Sequence, residues 1–353
     1  MKTRYLIAGG GLAGTLLTQT LERNGIKDYL MVDWPACSHS SSVAGGMFNP
    51  VGFRHLQPSW MADQLIPYLH DFYPAMEQQL GVRFFHRRRL LKILSQEEKR
   101  FWHAKTPQNP YLSSTIREYF SQHQIRHPAG AGMVHSAGNV EVAVMLDAWH
   151  RFLQKHRKIR YEKLTAEALT LHSGAIRWKD VDAETVIFAE GWKVTENPYF
   201  SYIPMKPAKG DVLWIEVPGF ETGHILNKKI WMLPSGGNRY RAGSTYRWDD
   251  LNEVPREAAS EEIKAALQQY LKLPFSVQQH QAAVRPTVGD RRPLLGRHPE
   301  FRQLMIFNGL GTKGVMLGPY FARHLVEHLE ENKTLMPGVN VERFSRRWFK
   351  KRN

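Results

Sequence analysis

One cysteine, Cys37, occurs in 353 residues. An intramolecular disulfide framework and a multi-cysteine zinc site are therefore excluded. No apolar run approaches the roughly 20 residues that a membrane helix needs. Acidic residues are in the minority, 33 against 48 basic, which leaves a formal charge of +15. Neither H-E-x-x-H nor G-x-S-x-G occurs, so a zincin centre and a hydrolase nucleophile elbow have no support and no metal is implied. Cys37 lacks an activating context, and the 16 histidines are scattered. Aromatic residues are plentiful: 10 Trp, 13 Tyr and 17 Phe are too many for a solvated coil. The length admits a large core and about two domains.

The start of the chain resembles a signal peptide in one respect, because Lys2 and Arg4 precede the apolar stretch Leu6 to Leu17. Four glycines interrupt that stretch, and the polar segment after it has no Ala-x-Ala site. A strand, a turn and a helix fit better, and a reducing, cytoplasmic location is the expectation.

Arg4 to Ala8 is a short apolar strand, and Gly9-Gly10-Gly11-Leu12-Ala13-Gly14 follows it. Thr15 to Asn24 reads as a helix stopped at Gly25. Tyr29 to Val32 is a second buried strand ending at Asp33, 19 positions after Gly14. Each part has a physical task in dinucleotide binding. Gly9 permits the tight turn, Gly11 lets the backbone approach a pyrophosphate, and Gly14 lets helix and strand pack closely. The helix N-terminus offers N–H groups and a positive dipole end to phosphates. Asp33 can accept hydrogen bonds from a ribose diol. The small-residue loop Ser40 to Pro50 follows this second strand. It is either a surface loop or a backbone that presses against a flat ring or phosphate.

Further along, Gly81 to Leu94 is strand-like. Ser95 to Ala104 is helical, with Ser95 as N-cap and Glu98 at the capping-box position. Val140 to His156 is an amphipathic helix whose residues Val140, Val144, Leu146, Trp149 and Leu153 point to a core. Glu184 to Trp192 is a buried strand of central, parallel type. Strands and turns fill Pro204 to Arg247, and Ser260 to Leu271 is helical.

Near the end, Leu304 to Phe307 reads as a strand before Asn308-Gly309-Leu310-Gly311-Thr312-Lys313-Gly314 and the helix Val315 to Glu330. This second G-x-G-x-x-G could mark an NAD site, but no following strand ends in an acid. A helix start aimed at the edge of a flat ring is the better reading. Its dipole, with Lys313, would stabilise the negative charge of a reduced flavin.

These motifs resemble those of the D-amino-acid oxidase and glycine oxidase family of FAD-dependent oxidoreductases. The resemblance spans GGGLAG, Asp33, the SSSVAGGM loop, VIFAEGW, RPTVGDRRPLLG and LGTKG, which is nearly the whole chain. It implies an α/β fold, α+β overall: a Rossmann-like FAD-binding domain with an inserted, mainly antiparallel-sheet substrate domain. The expected division gives 1–55, 135–195 and 282–335 to the FAD-binding domain and 56–134 and 196–281 to the substrate domain. Residues 336–353 form a basic C-terminal tail.

The resemblance also implies which residues hold FAD. Gly9, Gly11, Leu12, Ala13, Gly14 and Asp33 take the adenylate half. Ser41, Ser42, Gly45, Gly46 and Met47 come from the small-residue loop, and Ala189 and Gly191 from the end of the central strand. Gly309, Gly311, Thr312, Lys313 and Gly314 lie near the isoalloxazine ring. Arg285 falls where the glycine oxidase branch binds a substrate carboxylate, a bidentate task suited to a guanidinium. Its alternative is a buried ion pair with an acid such as Asp290. Arg285 and Lys313 are thus the candidate catalytic residues, and Arg285 and Trp231 the substrate-binding ones. Trp231 stands where the family often has a tyrosine and offers no phenol, which argues against a simple D-amino acid. Covalent flavin attachment is not expected: Val43 precedes the Ala-Gly loop, His39 is four residues earlier, and Cys37 is misplaced for it.

Arg343, Arg346, Arg347, Lys350, Lys351 and Arg352 crowd the tail, interleaved with Phe344, Trp348 and Phe349. Cations and rings together are what RNA binding uses. The Arg285 to Gly314 stretch is also similar to the oxidase half of a bifunctional enzyme that matures tRNA wobble uridine. The expected activity is oxidation of a C–N bond in an amino acid or secondary amine by hydride transfer to FAD, followed by imine hydrolysis. The alternatives are oxidation of carboxymethylaminomethyl-uridine in tRNA, and a non-catalytic nucleotide- or RNA-binding protein. The sequence leaves the oligomeric state open, and no membrane partner is expected.

Overall fold

The computed structural model of the protein describes residues 1–34 and 40–352, with side chains up to residue 350. Cys37 and His39 lie outside the described residues.

The strand Lys2–Ala8 lies between two parallel neighbours, Tyr29–Asp33 and Val181–Phe188. Ile159–Tyr161 pairs in parallel with Tyr29–Asp33, and Leu304–Asn308 with Val181–Phe188. The strands Thr170–His172, Ala175–Trp178 and Leu294–Arg297 pair antiparallel and complete an eight-stranded sheet. Apolar side chains cover both faces of this sheet, which is why its central strands read as continuous apolar runs rather than alternating ones.

On one face, the helices Leu12–Arg23, Ala62–Leu80, Val142–Lys155 and Gly314–Glu331 share a core that includes Leu16, Leu69, Phe72, Trp149 and Phe321. Helix Ala62–Leu80 comes from the segment expected to build the substrate domain, yet it packs here. Its stripe Leu65, Leu69, Phe72, Tyr73 and Met76 is buried, and the Tyr73 hydroxyl donates to the Val315 carbonyl at 2.8 Å. Helix Val142–Lys155 buries Val142, Met145, Leu146, Trp149 and Leu153 at helical spacing. Val144 falls off that stripe and is exposed, against expectation, while Val140 is buried in the strand Gly138–Val140. Helix Gln96–Lys105 carries the expected capping box. Ser95 Oγ accepts the Glu98 N–H at 3.2 Å, and the Glu98 carboxylate accepts the Ser95 N–H at 2.8 Å.

A second eight-stranded sheet runs in the order Ser276–Arg285, Ala208–Glu216, Arg239–Gly243, Trp231–Pro234, Ile225–Asn227, Leu90–Ile93, Ala131–Val134 and Leu112–Arg117. All its pairs are antiparallel except Ile225–Asn227 with Leu90–Ile93. Helix Glu257–Gln268 covers it with Ile263, Ala266 and Leu267. The strand Ser276–Arg285 runs across the boundary expected between 281 and 282 and belongs wholly to this sheet, so Arg285 reaches the site from the antiparallel side.

The C-terminal segment is docked. Val339 and Val341 are buried, and the Val339 carbonyl accepts the Leu295 N–H at 2.9 Å. Arg343 pairs with Asp290 at 2.9 Å, and Trp348 sits edge-on to His298 at 4.4 Å. Of the three aromatic residues in this basic segment, Phe344 and Trp348 pack against the sheet's other core and Phe349 is exposed. Two of the three rings that an RNA-binding reading would stack on bases thus cover apolar surface. Among the described residues, no helix is long and apolar enough to cross a membrane, and no group of His, Cys, Asp and Glu could hold a metal ion.

Candidate active site

The C-terminal ends of the parallel strands meet at one edge of the first sheet. Ala8, Asp33, Ala189 and Asn308 all line a cavity there, with a volume of about 820 Å³. Ligands of open α/β sheets bind at such strand ends, where the strand order reverses. The opposite wall is the second sheet, which contributes Gly210, Val212, Trp231, Ala283 and Arg285.

The glycine turn is shaped by close contacts. Gly9 has φ +114°, and a Cβ on it would lie 2.6 Å from the Ala189 carbonyl oxygen. A Cβ on Gly14 would lie 1.9 Å from the Gly9 carbonyl oxygen. No side chain fits there without moving helix Leu12–Arg23 off the turn, so Gly14 acts through packing, and it does not line the cavity. Asp33 is buried, and its Oδ1 accepts the Gly10 N–H at 2.8 Å. The loop 40–46 is a single turn, Ser40–Val43, followed by Ala44, Gly45 and Gly46 along the cavity wall. Ser41 Oγ accepts the Leu12 N–H at 3.0 Å, which ties this loop to the helix start.

Most of the expected residues converge. Gly9, Gly11, Leu12, Ala13, Asp33, Ser41, Gly45, Gly46, Met47, Ala189, Gly191, Gly311, Thr312 and Gly314 all line the cavity, as do Arg285 and Trp231. Ser42, Gly309 and Lys313 do not. Gly309 has φ +71° and turns the chain from strand Leu304–Asn308 toward the helix. Lys313 ends the 3-10 turn Gly311–Lys313, and its ammonium donates to Ser59 Oγ rather than bordering the cavity. Burial pulls its pKa down to about 8. The backbone around Gly311 to Gly314, with the helix dipole behind it, borders the cavity at this end.

Arg285 sits at the other end. Its Nη1 donates to the carbonyls of Ala208, Lys209 and Thr245 at 3.3–3.4 Å, and its Nη2 to Ser244 Oγ at 2.6 Å. Its guanidinium stacks on the Tyr246 ring at 4.3 Å. Asp290, the suggested ion-pair partner, is bonded to Arg343 instead. Among the described residues, no carboxylate lies within ion-pair distance of Arg285. Burial lowers its pKa, while Tyr246 and Asp211 oppose that shift. Asp211 is itself occupied by His280 at 2.9 Å and Thr245 at 3.0 Å.

Several lining residues were not anticipated. Gly210 is one: a Cβ there would fall 1.9 Å from Arg285 Nη2, so this glycine makes room for the guanidinium. Only strand register reveals it, through the pairing of Gly210 with Ala283 and of Ala208 with Arg285. Leu164 to Glu167 follow strand Ile159–Tyr161 and border the cavity beside the Asp33 strand. Their signal was available, since they follow a parallel strand. Arg241 binds the loop from the second sheet: its Nη2 donates to the carbonyls of Val43 and Ala44, and burial lowers its pKa to about 10.

Glu190 also lines the cavity, and its pKa is pushed up to about 7 by burial, against a stabilising hydrogen bond from Asn197 at 2.8 Å. A carboxyl whose folded pKa lies above its unfolded one stabilises the fold while protonated. That contribution is complete below about pH 4.5 and is lost as the pH rises to about 7. Above that, the buried charge costs up to roughly 3 kcal/mol. Glu190→Gln should therefore unfold later than the unaltered protein at pH 8 and no later at pH 4. Denaturant unfolding of flavin-free protein at both pH values checks this.

The glycine cradle, the acid-terminated strand and a second glycine-rich helix start along one cavity fit an extended dinucleotide. Known proteins agree. The chain is 24% identical to the glycine oxidase of Pseudomonas aeruginosa, over 93% of this chain and 94% of that protein. It is 24% identical to the tRNA 5-methylaminomethyl-2-thiouridine biosynthesis bifunctional protein of Caulobacter sp. (strain K31), over 92% of this chain but 54% of that protein. Iminodiacetate oxidase from Chelativorans sp. BNC1 shares the fold with a TM-score of 0.76 at 19% identity, over 97% of this chain and 98% of that one. Residues 4–328 match the DAO family model, FAD dependent oxidoreductase. The chain belongs to this family of FAD-dependent oxidoreductases.

Proposed function

We propose that the protein oxidises the C–N bond of an amino acid or secondary amine whose carboxylate is held by Arg285. One observation carries this reading: a part-buried guanidinium lines the cavity, hydrogen-bonded only to neutral oxygens. Taking a cation out of water is costly unless an anion compensates it. A substrate carboxylate supplies that anion in bidentate geometry.

When bound, FAD supplies the two-electron acceptor. Gly9, Gly11 and the start of helix Leu12–Arg23 would hold its phosphates, Asp33 its ribose, and the backbone around Gly311 to Gly314 its ring end. Arg285 anchors the substrate, Trp231 and the loop 43–46 wall it in, and together they present the C–H bond beside the nitrogen. The oxidised substrate is an imine, which water hydrolyses to a carbonyl compound and a free amine. No side-chain base is needed if the amine binds neutral.

The experiment is product analysis. Incubation of the holoenzyme with N-substituted glycines should release the amine and a carbonyl compound in equal amounts. Release of neither, from any carboxylate-bearing amine, contradicts the proposal. A second reading, oxidation of carboxymethylaminomethyl-uridine in tRNA, draws support from the similarity to the tRNA-biosynthesis protein and from the charge of +15. It requires salt-sensitive tRNA binding with a steep loss of affinity between low and moderate salt.

A further inference from the structure

The rim of the substrate end carries two exposed aromatic rings. Tyr246 lines the cavity and is 43% exposed, and Trp248, two residues on, is 65% exposed. Their ring centroids are 6.2 Å apart. Large exposed rings beside a cavity are unusual on a surface that has no partner for them.

The segment that presents them is built rather than loose. The backbone of Arg247 exchanges hydrogen bonds with Lys209 in both directions, at 2.8 and 3.0 Å. Arg247 is therefore extended against the second sheet, and its side chain leaves on one side to meet Glu262 at 2.7 Å. Its two neighbours, Tyr246 and Trp248, project to the other side, as alternation along an extended chain requires. The Lys209 side chain is fully buried, and its ammonium holds Asp250, Asn252 and the Val254 carbonyl at 2.5–3.0 Å. Asp250 and Asn252 also cap their own turns by accepting the N–H groups of Asn252 and Val254. At its far end the segment approaches the other wall, where Trp192 Nε1 lies 3.4 Å from Glu253.

Arg285 covers one face of Tyr246. A substrate anchored there by its carboxylate can leave the cavity past the Tyr246 edge and onto Trp248. We propose that Tyr246 and Trp248 form a stacking platform, and that the substrate is a carboxylate-bearing amine whose skeleton ends in a flat unsaturated ring. This rests on the reading of Arg285 as the carboxylate anchor, and it makes glycine and sarcosine poor substrates for want of a ring. Aromatic pairing of this kind is worth about twofold to tenfold in affinity.

The test compares N-benzylglycine with sarcosine in anaerobic flavin reduction, using the holoenzyme and its Trp248→Ala variant. Trp248 is exposed, so the variant folds. N-benzylglycine should be favoured by about twofold to tenfold, and Trp248→Ala should bring the ratio close to one. Equal reduction by the two amines, or a preference that survives Trp248→Ala, overturns the platform. A parallel binding measurement uses phenoxyacetate and methoxyacetate, which cannot be oxidised as amines, read from the visible flavin spectrum. If neither amine reduces the flavin, the oxidation reading fails. The platform then stands if phenoxyacetate binds more tightly and loses that advantage in Trp248→Ala, and falls if the two acids bind alike.

Discussion

Replacing Arg285 with methionine should lower kcat/KM for a carboxylate-bearing amine by about a hundredfold to a thousandfold. Removing one member of a desolvated charge pair costs on the order of 2–5 kcal/mol, and among the described residues no second cation is held against the second sheet in this way. The Arg285 guanidinium is aligned by three carbonyls and Ser244 Oγ, with Gly210 clearing its path. Methionine fills a similar volume without charge, so the flavin spectrum should persist. Arg285→Lys should recover part of the loss, because a point charge attracts a carboxylate but cannot grip it at two points. Rapid-mixing reduction kinetics with both variants measure this. A methionine variant that reduces its flavin as fast as the unaltered enzyme at low substrate would remove the carboxylate anchor from the account.

Gly14→Val should give a protein with little or no retained flavin. A branched side chain would begin 1.9 Å from the Gly9 carbonyl oxygen, a backbone atom that cannot step aside alone. Relief requires helix Leu12–Arg23 to move away from the turn, and overpacking of this kind costs about 1–3 kcal/mol or more. The displaced turn is the one that would meet the phosphates, so FAD affinity should fall by at least about tenfold. Gly223→Ala is the control, since a Cβ there meets nothing within 4 Å and the backbone is not left-handed. Flavin content after dialysis and thermal unfolding separate lost binding from lost folding. Full flavin retention by Gly14→Val would show that the turn tolerates the shift.

The parts of the site that were legible in the sequence are those that local chain geometry determines. A strand, three spaced glycines, a helix and a strand ending in Asp33 follow one another within 33 residues, and no distant contact is needed to interpret them. The capping box at Ser95 and Glu98 is legible for the same reason. Gly210, Ser244 and Tyr246 were not, because their relation to Arg285 arises between chain segments that lie 39 to 75 residues apart in sequence. Lys313 was placed at this helix start, and its ammonium is hydrogen-bonded to Ser59 Oγ. Its position at a helix start was readable, whereas the direction of its side chain depends on Ser59 and the helix that follows it. The C-terminal segment shows the opposite bias: its basic residues and rings drew attention as a binding surface, while the buried Val339 and Val341 were overlooked and Trp348 turned out to pack against the sheet.

The most direct measurement is the visible spectrum of the purified protein, taken without oxygen before and after addition of an N-substituted glycine. The account predicts stoichiometric, non-covalent FAD whose absorbance bleaches on mixing and bleaches at least about a hundredfold more slowly when Arg285 is replaced by methionine. A protein that takes up FAD but stays oxidised with every carboxylate-bearing amine, or bleaches equally well without Arg285, would contradict it.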